Sequence, residues 1–328
     1  MSDATAPSNG RDELEAARAF ARAGDWAQAG PAFVHAGRLL HEPINAMAGA
    51  TICASKLVLA GQSAPPPPPL PRATGLLSVV TCSINPAKER RFRASLERSA
   101  GGPHELVVIN DARSLCEGYA RGLARTTGEM VVLCHDDIEF LVHDLHARIA
   151  AHLARFALIG VAGTRRLQGA AWVWGGPPVN EGWVVQPGAR GGMAACLYGA
   201  GGSPVADGQA LDGLFMAGRR DALLSLGFDA ATFDGFHFYD LDLSYRAYRA
   251  GLPVGICGDV LVAHFSEGDF GSTYARYAAR FYEKFPELPH GPQHPHPNFV
   301  VHEMPDRATV TALFDWLAAW HRAENESR

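Results

Sequence analysis

The chain has 328 residues, of which 47% are hydrophobic and 19% charged, a composition that supports a substantial core and excludes a disordered protein. The length fits one large α/β domain of about 100–250 residues plus a small additional module. Its 29 basic and 34 acidic residues leave a net charge of −5, which argues against duplex nucleic acid as a bulk partner, because phosphate binding needs a basic surface.

The six cysteines, Cys53, Cys82, Cys116, Cys134, Cys196 and Cys257, contain no C-x-x-C pair. Several lie in apolar runs, where cysteine serves as a small hydrophobe, so the expectation is a reducing compartment and no structural zinc. Residues 1–11 are polar with no apolar signal core, and no stretch is apolar for long enough to span a bilayer. These features predict a cytoplasmic protein without a transmembrane segment, with peripheral contact to the inner membrane face as one option.

In chain order, residues 12–22 are rich in helix formers, Gly24-Asp25 reads as a turn, and residues 26–40 and 44–59 follow as two further helices. The pattern Ala19-Phe20, Ala23-Gly24-Asp25-Trp26 and Ala29 resembles part of a tetratricopeptide repeat, and a plain three-helix cap explains the same residues equally well. Residues 1–64 are therefore read as a small all-α module that offers a site for a protein partner. Residues 65–69 are consecutive prolines, which stay in polyproline II, so residues 65–72 are expected to act as a semi-rigid linker.

From residue 73 the texture changes. Residues 76–82, 105–110, 130–134 and 157–163 are short apolar runs rich in Val, Leu and Ile, the pattern of strands buried on both faces. Helical stretches at 88–99, 114–125 and 144–156 lie between them, which predicts an open, doubly wound α/β sheet. Residues 165–209 hold Trp172, Trp174 and Trp183 among many glycines and prolines and are expected to form a hairpin and mobile loops over the sheet. Strand character returns at 211–217, and a helix at 241–250 stops at Gly251 with Pro253 just beyond. The domain is placed at 73–288. A His- and Pro-rich loop at 289–297 then leads to an amphipathic helix near 307–324, so 289–328 reads as a C-terminal extension.

Ligands of open α/β sheets bind beyond the carboxyl ends of the strands. Here those ends read Thr81-Cys82-Ser83-Ile84-Asn85, Asn110-Asp111 and His135-Asp136-Asp137. Adjacent carboxylates repel in low dielectric, and Mg²⁺ or Mn²⁺ would relieve the repulsion; two solvated loop aspartates are the alternative. A second acidic cluster, Phe236-His237-Phe238-Tyr239-Asp240-Leu241-Asp242, opens the 241–250 helix. Residues two apart on a helix do not share a face, so at most one of Asp240 and Asp242 points into a common site. The other serves the helix N-terminus, worth ~0.3–1 kcal/mol. His264 follows an apolar run and by itself reads as a core histidine.

The order of these elements resembles the family 2 glycosyltransferases with the GT-A fold, in the branch whose acidic motif begins with His. The resemblance spans residues 76–285. It is carried by Gly128-Glu129-Met130 with His135-Asp136-Asp137, Leu158-Ile159-Gly160-Val161-Ala162-Gly163 and Leu211-Asp212-Gly213-Leu214-Phe215-Met216. Phe233-Asp234-Gly235 running into the second acidic cluster and Leu243-Ser244, and His264-Phe265-Ser266-Glu267-Gly268, complete it.

The resemblance implies a GT-A type mixed sheet and a metal-dependent, inverting transfer of a hexose from a nucleoside diphosphate sugar, with uridine diphosphate as the expected nucleotide. The implied acceptor is a glycan, lipid or protein, and the implied cofactor Mn²⁺ or Mg²⁺. By the same resemblance Thr81 and Asp111 hold the base and ribose, and Asp136 and Asp137 serve the D-x-D function as metal residues, with Asp137 the direct ligand. His264 is a further ligand, Asp212 lies beside the donor sugar, and Asp240 is the general base. Three departures stand out: His135 replaces the first Asp of the common motif, Tyr239 stands where many relatives carry Glu, and Ala120 where they often carry Asn. Two rivals are a scaffold with an inactive domain and a nucleotidyltransferase. The latter would want a Gly-rich, basic loop after the first strand, where this chain has Cys82-Ser83-Ile84-Asn85-Pro86.

Overall fold

The computed structural model describes residues 9–199, 202–266, 271–290 and 299–327. Glu267 and Gly268 of the last motif and most of the His- and Pro-rich loop lie outside them, as do two residues of the glycine-rich run near 200.

Three helices open the chain: α1 (Gly10–Arg22), α2 (Trp26–Leu39) and α3 (Ile44–Leu59). Asn9 caps α1 by accepting from the Arg11 N–H, and Asp25 caps α2 by accepting from Gln28. Between them Gly24 takes the positive φ of 77° that ends a helix without a Cβ penalty.

The sheet begins with β1 (Leu77–Cys82), α4 (Pro86–Ser99), β2 (His104–Ile109), α5 (Leu115–Arg125) and β3 (Met130–His135). β1 pairs in parallel with β2 on one side and β3 on the other, which sets Cys82 opposite both Ile109 and His135. Asn85 and Ser114 cap the two helices, so each strand end turns at once into a helix start. Next come β4 (Ile138–Phe140), α6 (Leu145–Leu153), β5 (Leu158–Gly160) and β6 (Ala162–Thr164). The run at 157–163, expected as one strand, divides: β5 stays in the first sheet and β6 joins the second. β7 (Asn180–Pro187) and β8 (Met193–Leu197) form the expected hairpin, and a 3₁₀ turn, Trp172–Gly175, precedes it.

β9 (Ala210–Leu211) and β10 (Phe215–Arg219) are the two halves of the run expected as one strand at 211–217, interrupted at Asp212-Gly213-Leu214. β10 lies antiparallel between β3 and β5 and makes the sheet mixed. After α7 (Arg220–Leu226) and α8 (Tyr239–Arg249), β11 (Val254–Ile256) closes the six-stranded order β11-β5-β10-β3-β1-β2. β12 (Val262–His264), α9 (Ser272–Lys284), β13 (Val300–Met304) and α10 (Arg307–Glu326) complete the chain. The second sheet runs β13-β8-β7-β12-β4, with β6 beside β7.

α10 lies against α2 and α3. The Trp320 ring covers Gly30 so closely that a Cβ there would stand 2.2 Å from it, and His35 meets Glu324 at 3.0 Å. The same inner face of α10 also meets the hairpin: Trp183 packs on Phe314 at 5.4 Å and on His321 at 5.7 Å. Trp183 is thus part of the core. No helix among the described residues is long and apolar enough to cross a membrane.

Candidate active site

The pairing of β4 with β12 sets the central geometry. His264 stands opposite Ile138, and the Phe265 N–H donates to the Asp137 carbonyl at 3.1 Å, so a histidine 127 positions further along the chain is laid beside the acidic turn. His264 Nε2 is 3.5 Å from Asp137 Oδ1. His135, the last residue of β3, joins them, with Nδ1 3.4 Å from His264 Nε2 and 4.0 Å from Asp137 Oδ1. One ligand atom from each of the three lies within 4.8 Å of the others. Two imidazoles and a carboxylate form a donor set that fits a divalent metal ion.

Burial and neighbouring charges set the ionisation of the cluster. Burial opposes ionisation of Asp137, but His264 and the Lys88 ammonium, 3.0 Å from Oδ2, outweigh it and hold the carboxyl well below its usual range. Burial, and then the charge of His264, depress His135, which favours the neutral imidazole that a ligand must be.

Asp136, expected as a ligand, stands outside this cluster. Its Oδ2 accepts from Ser83 Oγ at 2.7 Å, and its Oδ1 is 3.8 Å from Lys88 Nζ. Lys88 escaped the sequence reading, although its place in the first turn of α4, directly after the β1 end, is where an anion-facing cation belongs.

The second acidic cluster comes in beside the first. Phe238 takes a left-handed φ of 67°, a conformation that costs a non-glycine residue on the order of 1 kcal/mol. Its buried ring, 5.2 Å from Phe281 and 5.9 Å from Phe233, holds it there. The turn aims the start of α8 at the break between β9 and β10. Asp240 Oδ2 accepts from the Gly213 N–H at 2.9 Å. Asp212 is fixed by Trp172 Nε1 and the Leu214 N–H, each donating at 2.9 Å. Burial, followed by the charge of Asp212, pushes Asp240 up to about 7. Tyr239 reaches the metal cluster: its hydroxyl is 2.7 Å from His135 Nε2.

Two cavities meet at His135 and Phe236. One, of about 480 Å³, is lined by Ser83, Lys88, Asp136 and Tyr119 at the ends of β1 and β3. The other, of about 340 Å³, is lined by Asp212, Asp240, Trp172, Tyr198 and His264. Two expected donor contacts are not brought to these walls. Thr81 is fully buried, and its hydroxyl has no hydrogen-bond partner among the described residues. It is Cys82 and Ser83 that face the cavity. Asp111 is exposed and bound at both oxygens by Arg121, at 3.1 and 2.8 Å.

A family described as a glycosyltransferase-like family matches residues 78–285. Among solved structures, GalNAc-T7 with UDP, GalNAc and Mn²⁺ is 10% identical, with a TM-score of 0.41 over 60% of this chain and 44% of that one. The chain thus spans under half the length of that protein. The mannosyltransferase PcManGT from Pyrobaculum calidifontis, in complex with GDP-Man and Mn²⁺, is 12% identical, with a TM-score of 0.40 over 91% of this chain and 86% of that one. No curated protein matches the sequence. The family match runs from β1 to the end of α9 and takes in every residue of both acidic clusters: the chain belongs to the glycosyltransferase-like family.

Proposed function

We propose that this chain is a metal-dependent, inverting glycosyltransferase that moves a hexose from a uridine diphosphate sugar to a hydroxyl of a glycan, lipid or protein. The observation that carries the reading is the convergence of His135, Asp137 and His264 at the junction of two cavities, one bearing Lys88 and the other Asp240.

The donor diphosphate belongs on the Lys88 side. His135, Asp137 and His264 would hold Mn²⁺ or Mg²⁺, which when bound neutralises the charge of the leaving diphosphate. Two nitrogen ligands favour Mn²⁺, since Mg²⁺ keeps to oxygen. Lys88 adds a second positive charge for the same phosphates. The acceptor belongs on the aromatic side, where Asp240 takes the proton of the attacking hydroxyl. A carboxyl held near neutrality accepts a proton well and releases it readily. Asp212 has both oxygens engaged, so it suits the shaping of the field around Asp240 rather than attack on the sugar. With one carboxylate free to act, a single displacement with inversion is the chemistry the site supports. Trp172 and Tyr198, in edge contact at 4.9 Å, offer apolar faces to the acceptor.

The test is release of nucleoside diphosphate from a panel of sugar nucleotides, with and without Mn²⁺, followed by anomeric assignment of the product by NMR. Mn²⁺-dependent release with an inverted product is the expected result. Failure to bind any nucleoside diphosphate at saturating Mn²⁺ would sink the reading, and a retained anomer would sink the single displacement.

A further inference from the structure

We infer that Tyr239 is a positioning residue of the metal centre: with an ion bound, its hydroxyl oxygen accepts the His135 Nε2–H and so holds the ring with Nδ1 facing the ion. The inference rests on the metal-dependent reading above.

A neutral imidazole carries one proton. His135 Nδ1 faces Asp137 and His264, and Nε2 faces Tyr239 at 2.7 Å. Ligation through Nδ1 requires its lone pair, so the proton must sit on Nε2 and must find an acceptor there. The phenol oxygen is that acceptor. A carboxylate at position 135 would need no such partner, whereas an imidazole that lacks one is free to turn or to hold its proton on the wrong nitrogen.

The surroundings are built around this hydroxyl. Tyr239 is buried, with its ring 5.4 Å from that of Tyr119. Gly213 leaves the room it occupies: a Cβ there would stand 2.1 Å from the Tyr239 oxygen and 2.8 Å from Asp240 Cβ. Any larger residue at 213 would push Tyr239 off His135. The same short turn of α8 carries Asp240, so one hydrogen bond ties the metal ligand to the segment that bears the base.

The experiment reads Mn²⁺ affinity by the EPR signal of the free ion, without donor or acceptor, in the full chain. Tyr239→Phe keeps the ring and removes only the oxygen. It should weaken Mn²⁺ binding by about 10–100-fold, the usual effect of losing the outer partner of a ligating histidine. The same change in a His135→Asp background should alter affinity by less than about twofold, because a carboxylate has no tautomer to fix. Equal Mn²⁺ affinity of Tyr239→Phe and wild type would overturn the inference alone. An equal loss in both backgrounds would also overturn it, since it would mark a general packing role. If His135→Asp binds no ion, the comparison of Tyr239→Phe with wild type decides. A wild-type chain that leaves all Mn²⁺ free would overturn the metal-dependent reading together with this one.

Discussion

Asp240 and Asp242 leave the same helical turn in opposite directions. Asp240 turns into the aromatic cavity and accepts from Gly213 at 2.9 Å. Asp242 is 1% exposed and is gripped by Arg246 at 2.8 Å and Lys284 at 2.6 Å. Two residues apart on a helix means about 200° of rotation, so on the proposed mechanism one backbone segment serves the chemistry with one aspartate and the fold with the other.

Substitution should separate the two roles. Asp240→Asn should leave donor binding nearly intact while transfer falls by ~10²–10⁴-fold, the usual worth of a general base. Asp242→Asn should instead cost stability. Breaking a fully buried ion pair costs roughly 3–5 kcal/mol, and the partial exposure of Arg246 and Lys284 reduces this to about 2–3 kcal/mol. Denaturant melts and turnover with one acceptor would distinguish them. A folded, inactive Asp242→Asn enzyme beside a full-rate Asp240→Asn enzyme would reverse the assignment.

The raised position of Asp240, at about 7, gives a pH signature in both rate and stability. The rate should climb through pH 7 as the carboxyl ionises and then level off, and the climb should vanish in Asp240→Asn. For stability, the unfolded chain releases this proton near pH 4 and the folded chain holds it to about 7. In that window the folded state binds more protons, so its stability falls as pH rises and is flat above. Asp240→Asn escapes this cost. Its melting temperature relative to wild type should therefore rise between pH 4 and pH 8, by the equivalent of at most a few kcal/mol. A difference that stays constant over that range would refute the assignment of the titrating group.

The βαβαβ half of the sheet was legible because β1, β2 and β3 are continuous apolar runs bracketed by recognisable caps at Asn85 and Ser114. The runs at 157–163 and 211–217 were misread as single strands. Both halves of each are buried, so hydropathy carries no mark of the change of sheet after Gly160. The break after Leu211 is marked in the sequence by the turn pair Asp212-Gly213, which the apolar residues on both sides outweighed. In the site, the nearness of Asp137 and His264 was readable through the resemblance. The inclusion of His135 was not, because it depends on which face of the β3 end meets β12. Thr81 lies within β1 and turns inward, whereas Ser83 reaches the cavity because it lies past the last residue of β1, where the alternation of the strand no longer applies. The bond from Trp172 to Asp212 joins positions 40 apart on either side of the β7–β8 hairpin, and no local periodicity links them.

Metal binding can be checked by mass action. Mn²⁺ with uridine diphosphate should raise the melting temperature of the wild type, by the equivalent of about 2.7 kcal/mol at a hundredfold excess over Kd. Asp137→Ala and His264→Ala should abolish the response. Asp136→Ala should keep most of it, because that carboxylate is tied to Ser83 and Lys88 rather than to the cluster. A loss in Asp136→Ala equal to that in Asp137→Ala would return Asp136 to the ligand set.

The helical module and the catalytic domain share α10, and this bears on what the proline run separates. Trp320 lies on Gly30, His35 on Glu324 at 3.0 Å, and Arg38 on Asn325 at 2.7 Å, while Phe314 and His321 on the same helix pack on Trp183 of the hairpin. A chain that begins at Arg72 would leave the inner face of α10, including the buried Trp320 and Leu317, open to water. We expect it to melt lower than the full chain or to aggregate, even though none of the described residues among those removed lines either cavity of the candidate site. Gly30→Val is the finer probe. Overpacking against the Trp320 ring should cost about 1–3 kcal/mol, and Trp320→Leu in the same chain should recover part of that loss, as expected for residues in direct contact. Nucleotide affinity should be unchanged in Gly30→Val, measured at a temperature where both proteins are folded. A truncated chain that melts like the full one and binds nucleotide equally well would show that the module is an independent body resting on α10.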